Sequence, residues 1–153
     1  MNRPIFVING PNLNRLGKRE PEIYGTTTLA EIEIKCREAA GDWPIRFHQS
    51  NLEGEIINWI HEAIDEGAGI IINPAAFSFT SIAILDALKM FPGPIIELHI
   101  SNIHKREAYY HNSLVSKIAT EVLIGLGPAG YSIAVKAMLD LLVSKPEKVG
   151  IRK

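Results

Sequence analysis

Five short apolar runs, each followed by a stretch with helical periodicity, constrain this chain more tightly than any other feature. The runs cover residues 5–8, Ile45–Gln49, 69–72, Ile95–His99 and roughly Glu121–Ile124. Alternation of this kind is the signature of α/β architecture. Thr28-Leu-Ala-Glu31 and Ser50-Asn-Leu-Glu53 fit capping boxes and mark two helix starts. In the second helix Leu52, Ile56, Trp59, Ile60, Ala63 and Ile64 recur at i, i+3, i+4 spacing, which turns them toward a sheet. Gly67 and Gly69 end that helix, a third covers about 81–90 before Pro92, and the last runs from about 128 to 143.

Five βα units in 153 residues predict one domain over 1–153: a three-layer sandwich with a five-stranded parallel sheet. Of the two common doubly wound arrangements, the flavodoxin-like order 2-1-3-4-5 suits this size. That order makes strands 1, 3 and 4 neighbours, and ligands in such sheets bind beyond the carboxyl ends of the strands near the order reversal. The residues leaving those ends are Asn12 with its loop, Asn73-Pro-Ala-Ala76, and His99-Ile-Ser-Asn102.

The loop after the first strand, residues 9–25, is longer than ordinary connections. It carries Asn12, Arg15, Lys18, Arg19 and Tyr24, an inventory suited to proton chemistry on a small anionic or oxygen-rich molecule. A phenol is almost wholly protonated at pH 7, so Tyr24 could act as a base only if a close cation such as Arg19 favoured the phenolate. Otherwise it is a packing residue with a wet hydroxyl. In Ile95-Ile-Glu-Leu-His99, Glu97 and His99 share one side of the strand, and a carboxylate so placed can fix the imidazole for general-acid work. The bland alternative is a histidine satisfying local backbone. Asn73 could be a turn former, and Ser101 with neighbouring amides could hold a carboxylate.

Other function classes lose ground on composition. A net charge of −1 with interleaved signs offers no nucleic-acid surface. No apolar run approaches a membrane span and no signal peptide is visible, so a cytoplasmic location is expected. Cys36, alone, forms neither an intramolecular disulfide nor a zinc site. Gly125-Leu-Gly-Pro-Ala-Gly130 matches GxGxxG, but too little chain follows for the strand that would carry a ribose-binding acid. The spacing of His99, His104 and His111 matches no familiar metal motif, and no metal is expected.

Assembled in this way, the chain resembles the type II 3-dehydroquinate dehydratases over almost its whole length. The resemblance rests on INGPNLNRLGKREPEIYG, IINPAAFSFTSIAILDAL and IELHISNIHKRE, in the family's order. It implies a cofactor-independent lyase of aromatic biosynthesis or quinate metabolism. In that reading Tyr24 removes a proton from substrate C2 and Arg19 favours its phenolate. Asn12 and a bound water stabilise the enolate. His99 protonates the departing C1 hydroxyl, with Glu97 and Asn73 orienting the groups. Ser101 and the amide of Ile100 would take the substrate carboxylate, Asp86 would reach the site of a neighbouring subunit, and Arg106 would sit near the tyrosine. The implied assembly is a dodecamer of trimers. Two positions depart from the family pattern: Phe79 stands where a ring-hydroxyl-binding histidine is usual, and Tyr110 where an arginine is usual. Both suggest a less polar distal end of the substrate, the bland alternative being drift compensated by His111 or an unseen partner; three readings remain: the family reaction, the same elimination on a related acid, or a non-catalytic binder of small acids. Keeping Arg19, Tyr24 and His99 together disfavours the last, because a binder needs neither acid nor base.

Overall fold

A computed structural model describes residues 1–144 of the chain. Strands β1 (Ile5–Asn9), β2 (Ile45–Gln49), β3 (Gly69–Asn73), β4 (Ile95–His99) and β5 (Glu121–Ile124) form one parallel sheet in the order β2-β1-β3-β4-β5. The expected flavodoxin-like order is therefore the observed one. Burial explains which strands are central. Every residue of β1, β3 and β4 is buried, whereas β2 and β5, at the edges, are only partly covered. The single-domain expectation for 1–153 also takes in residues 145–153, which lie outside the described residues.

Strand parity divides the apolar residues between two layers. Ile5, Val7, Ile71, Ile96 and Leu98 pack against Ile32 and Cys36 of α2 (Leu29–Ala40) and Tyr131, Val135 and Met138 of α5 (Ala129–Val143). Phe6, Ile8, Ile70, Ile72 and Ile95 pack against Ile56, Ile60 and Ala63 of α3 (Glu53–Glu66) and Ile84 and Leu88 of α4 (Ile82–Leu88). Each isoleucine, leucine, valine, phenylalanine or methionine among them contributes about 1.5–3 kcal/mol on full burial. Glu97 and His99 share the parity of Ile95, so both lie on the α3/α4 side of the sheet, and Glu97 is fully buried there.

Local signals held at one helix start and failed at another. The Thr28 hydroxyl accepts from the Glu31 amide at 3.2 Å, and the Glu31 carboxylate accepts the hydroxyl proton in return. At Ser50-Asn-Leu-Glu53 the expected box does not form. The Ser50 hydroxyl instead accepts from the Leu52 amide at 2.9 Å and donates to Glu55, which delays the start of α3 to Glu53. The Glu53 carboxylate accepts from the Ser81 hydroxyl at the start of α4. Leu52, placed on the sheet-facing stripe by its spacing, is consequently exposed.

The loop at 9–25 is folded, not a plain connection. It contains a 3-10 turn, Leu13–Arg15, and the short helix α1 (Pro21–Tyr24). Leu13, Leu16 and Tyr24 are buried in the α2/α5 core and tie it down. Gly10 brings its two ends of sheet together. Its amide donates to the Asn73 carbonyl at 2.8 Å, and any Cβ there would overlap the Pro74 carbonyl. Among the described residues no helix is long and apolar enough to cross a membrane.

Candidate active site

Beyond the carboxyl ends of β1, β3 and β4 lies a crevice. Asn12, Arg19 and Tyr24 reach it from the first loop, Asn73 and Phe79 from the end of β3, and His99, Ile100, Ser101, Arg106 and Tyr110 from β4 and the segment after it. The topology thus unites three clusters separated in sequence. Of the residues singled out from sequence, Arg15 and Lys18 of the first loop, Glu97 and Asp86 do not line the crevice. Glu97 lies behind His99, and Asp86 is exposed on α4.

Two cations converge on the Tyr24 hydroxyl. Arg106 Nη1 donates to it at 2.8 Å and Arg19 Nη2 at 3.3 Å. The Arg19 guanidinium also lies 4.3 Å from the centre of the Tyr24 ring. Sequence reasoning ranked Arg19 first because it shares a loop with Tyr24. The fold makes Arg106, distant in sequence, the shorter contact. Arg19 is moreover shared with Glu20, whose carboxylate lies 3.4 Å away. Two charged donors on one oxygen suit an oxygen that bears negative charge.

His99 is 4% exposed, and its Nε2 meets Glu97 Oε2 at 2.5 Å. A carboxylate only accepts, so Nε2 carries the proton and Nδ1 is the nitrogen left for the crevice. Ser116 donates to the other carboxylate oxygen at 2.5 Å, a partner the sequence did not announce. Burial alone would raise the Glu97 pKa. The hydrogen bond and charge of His99, then the Ser116 hydroxyl, outweigh it and hold the carboxyl below its ordinary value. Glu97 therefore stays anionic at neutral pH, a fixed counter-charge for an imidazolium.

The floor is a buried polar chain that sequence reading missed. The Tyr131 hydroxyl donates to Asn9 Oδ1 at 2.7 Å and accepts from Asn73 Nδ2 at 3.0 Å, and Asn9 Nδ2 donates to the His48 carbonyl at 3.0 Å. Tyr131 sits in the first turns of α5, and its burial raises its pKa, which keeps it neutral. The only sequence signal for it was a polar aromatic on an otherwise apolar helix face. Asn73 Oδ1 accepts from the Ala75 amide at 3.2 Å, so this asparagine holds strand ends and loop together as well as lining the crevice. Ala75 (φ 52°) and Asn12 (φ 70°) both line the crevice in the left-handed region, which asparagine adopts readily but which strains Ala75 by about 1–2 kcal/mol. The Asn12 amide donates to Asn51 Oδ1 at 2.9 Å, which helps to hold that conformation.

The GxGxxG look-alike has a structural use. Gly125 (φ 82°) and Gly127 (φ 67°) turn their amides back onto β4, donating to the His99 carbonyl at 3.1 Å and the Ile100 carbonyl at 3.0 Å. Amides spent in this way cannot cradle a phosphate. They buttress the strand end that carries His99. His111 Nε2 lies 2.6 Å from the Arg106 carbonyl, to which it must donate. Among the described residues no three His, Cys, Asp or Glu side chains cluster as metal ligands. Burial pushes the Cys36 thiol up to about 12, which leaves no thiolate for nucleophilic work.

Comparison with known proteins agrees with this geometry. The family model described as dehydroquinase class II matches residues 3–139. A 3-dehydroquinate dehydratase of Bartonella bacilliformis is 51% identical, with 100% of this chain and 95% of the relative covered. A 3-dehydroquinate dehydratase 2 of Agrobacterium fabrum is 56% identical over 88% of this chain and 93% of its own. Among solved structures, a type II dehydroquinase from Propionibacterium acnes superposes with a TM-score of 0.87 at 43% identity, covering 92% of this chain and 98% of that one. A 3-dehydroquinate dehydratase-like protein from Bifidobacterium longum gives 0.70 at 30% identity, covering 94% and 100%. With a model match along nearly the whole chain and relatives above half identity, the protein belongs to the class II dehydroquinase family.

Proposed function

We propose that this protein dehydrates 3-dehydroquinate, and that one observation carries the reading: Tyr24, held by two guanidiniums, shares a crevice with a Glu97-bound His99. In the proposed sequence the Tyr24 phenolate takes a proton from C2 of the bound ring ketone, and the electron pair moves onto the carbonyl oxygen as an enolate. Asn12 and a bound water hold that oxygen. The enolate then collapses and breaks the C1–O bond while the His99 imidazolium gives its proton to the leaving hydroxyl, which departs as water. The Tyr24 hydroxyl and neutral His99 exchange a proton to reset. The elimination is redox-neutral, so these side chains suffice without a cofactor. Ser101 and the Ile100 amide receive the substrate carboxylate. Asp86 is exposed on α4 outside its own crevice, which supports a role at the site of another copy in a homo-oligomer, a dodecamer of trimers, in the cytoplasm. Purified protein mixed with 3-dehydroquinate should produce conjugated enone absorbance with multiple turnovers. A flat trace at high enzyme concentration would remove this reading.

A second reading, elimination from a related acid with a less polar distal end, rests on Phe79 and Tyr110. Both line the crevice, with ring centres 5.3 Å apart at 77°. An apolar wall leaves a distal hydroxyl without a partner, at about 1 kcal/mol or more. Phe79→His should therefore raise kcat/KM on dehydroquinate about fivefold. An unchanged or lower value in steady-state assays would count against altered specificity.

A further inference from the structure

The shortest contact to the Tyr24 oxygen comes from Arg106, a long, flexible side chain that something must hold in place. Arg106 follows the 3-10 turn Ile103–Lys105, and among the described residues no carboxylate pairs with it. Its guanidinium lies instead over the Tyr110 ring, 4.0 Å from the ring centre. Phe79 meets Tyr110 edge-on, and its own ring is 6.2 Å from that of His99. At the backbone, His111 holds the Arg106 carbonyl.

We propose that Tyr110 is a positioning residue for the base: its ring face fixes the Arg106 guanidinium against the Tyr24 oxygen, with Phe79 bracing the ring. The choice of an aromatic partner has a physical consequence. A carboxylate would hold the guanidinium as firmly but would cancel its charge. A neutral ring face attracts the cation through its quadrupole and leaves its full charge directed at the oxygen. Arg19, already shared with Glu20, shows the compensated alternative in the same site. The aromatic pair also bridges the two halves of the site, since the cation beside Tyr24 lies over Tyr110, Tyr110 meets Phe79 edge-on, and Phe79 lies beside the ring of His99. Removing the Tyr110 ring would then disturb proton transfer, and not only the wall of the crevice.

This inference deepens the proposed dehydratase reading, and its test has a branch independent of turnover. Tyr110→Leu removes the ring face, whereas Tyr110→Phe keeps it and drops only the hydroxyl. On dehydroquinate we expect Tyr110→Leu to lower kcat about tenfold with KM within twofold of the parent, and Tyr110→Phe to retain the parent kcat. Side-chain NMR of the Arg106 guanidinium, assigned with Arg106→Lys, should show slow Nη exchange in the parent and in Tyr110→Phe. In Tyr110→Leu the exchange should become fast. If the parent fails to turn over dehydroquinate, the dehydratase reading falls and the NMR comparison still decides the role of Tyr110. A higher KM with unchanged kcat in Tyr110→Leu would overturn the positioning role in favour of a substrate-facing wall. Equal losses in both variants, or guanidinium exchange unaffected by Leu, would overturn it as well.

Discussion

Tyr24→Phe should lower kcat on dehydroquinate by at least about a thousandfold while leaving the protein folded. General-base catalysis contributes about a hundred- to ten-thousandfold, and this variant removes the atom proposed to accept the proton. The ring, buried at 8% exposure and packed beneath Arg19, is untouched, so its share of the core is kept. The substitution leaves the Arg106 and Arg19 donors without their shared oxygen. Both side chains are at least partly exposed and can turn to water, which limits the stability change to about 1 kcal/mol. Steady-state kinetics beside a urea melt separates the two effects. Activity within tenfold of the parent would show that the proton goes elsewhere.

Glu97→Gln is expected to lower kcat about a thousandfold by another route, because it leaves every crevice-lining group in place. The carboxylate accepts from His99 Nε2 and, in the proposed mechanism, stabilises the imidazolium that donates its proton from the other nitrogen. An amide carries no charge and can present a donor to Nε2, which favours the wrong tautomer. A carboxylate-to-amide change behind a catalytic histidine has a cost of about ten-thousandfold in the best-studied hydrolase triad. The same variant carries a stability signature. Folding lowers the Glu97 pKa, so its contribution is fully present above the unfolded carboxylate value of about 4.3 and is lost as pH falls through the lower folded value. Replacing it should cost about 1.5–3 kcal/mol at pH 7 and should flatten the acid limb of a stability–pH curve measured by urea midpoints. A parallel shift of the whole curve, with its acid limb unchanged, would show that Glu97 does not titrate with folding.

Much of this molecule is legible in one dimension because its strands are short, apolar and buried on both faces. Strands β2, β4 and β5 have the boundaries expected from sequence, and β1 and β3 each extend one residue further, to Asn9 and Asn73. Those two residues are polar and end the apolar runs, yet they pair with each other in the sheet and anchor the buried chain through Tyr131. The Ser50 capping box misled because a hydroxyl has several amides within reach. Whether it caps a helix or closes a two-residue turn depends on where Glu53 and Glu55 find partners. In the same way, periodicity placed Leu52 on a buried stripe that begins one turn later.

The chemistry divides along a similar line. By itself the sequence determined the parallel α/β sheet, the identity of a phenol, an imidazole and a carboxylate suited to proton transfer, and their place at strand ends that the strand order brings together. Those follow from patterns local in the chain: periodicity, strand parity and loop composition. Only the tertiary structure decided that Arg106 outranks Arg19 at the Tyr24 oxygen, that Tyr131 ties Asn9 to Asn73, and that the glycine-rich loop buttresses β4 instead of holding a ligand. It also decided that Phe79 and Tyr110 meet edge-to-face between the two halves of the site. Each of these is a contact between segments far apart in sequence. Such contacts depend on distances of a few ångströms that no local pattern encodes, and electrostatic and stacking energies change steeply over that range.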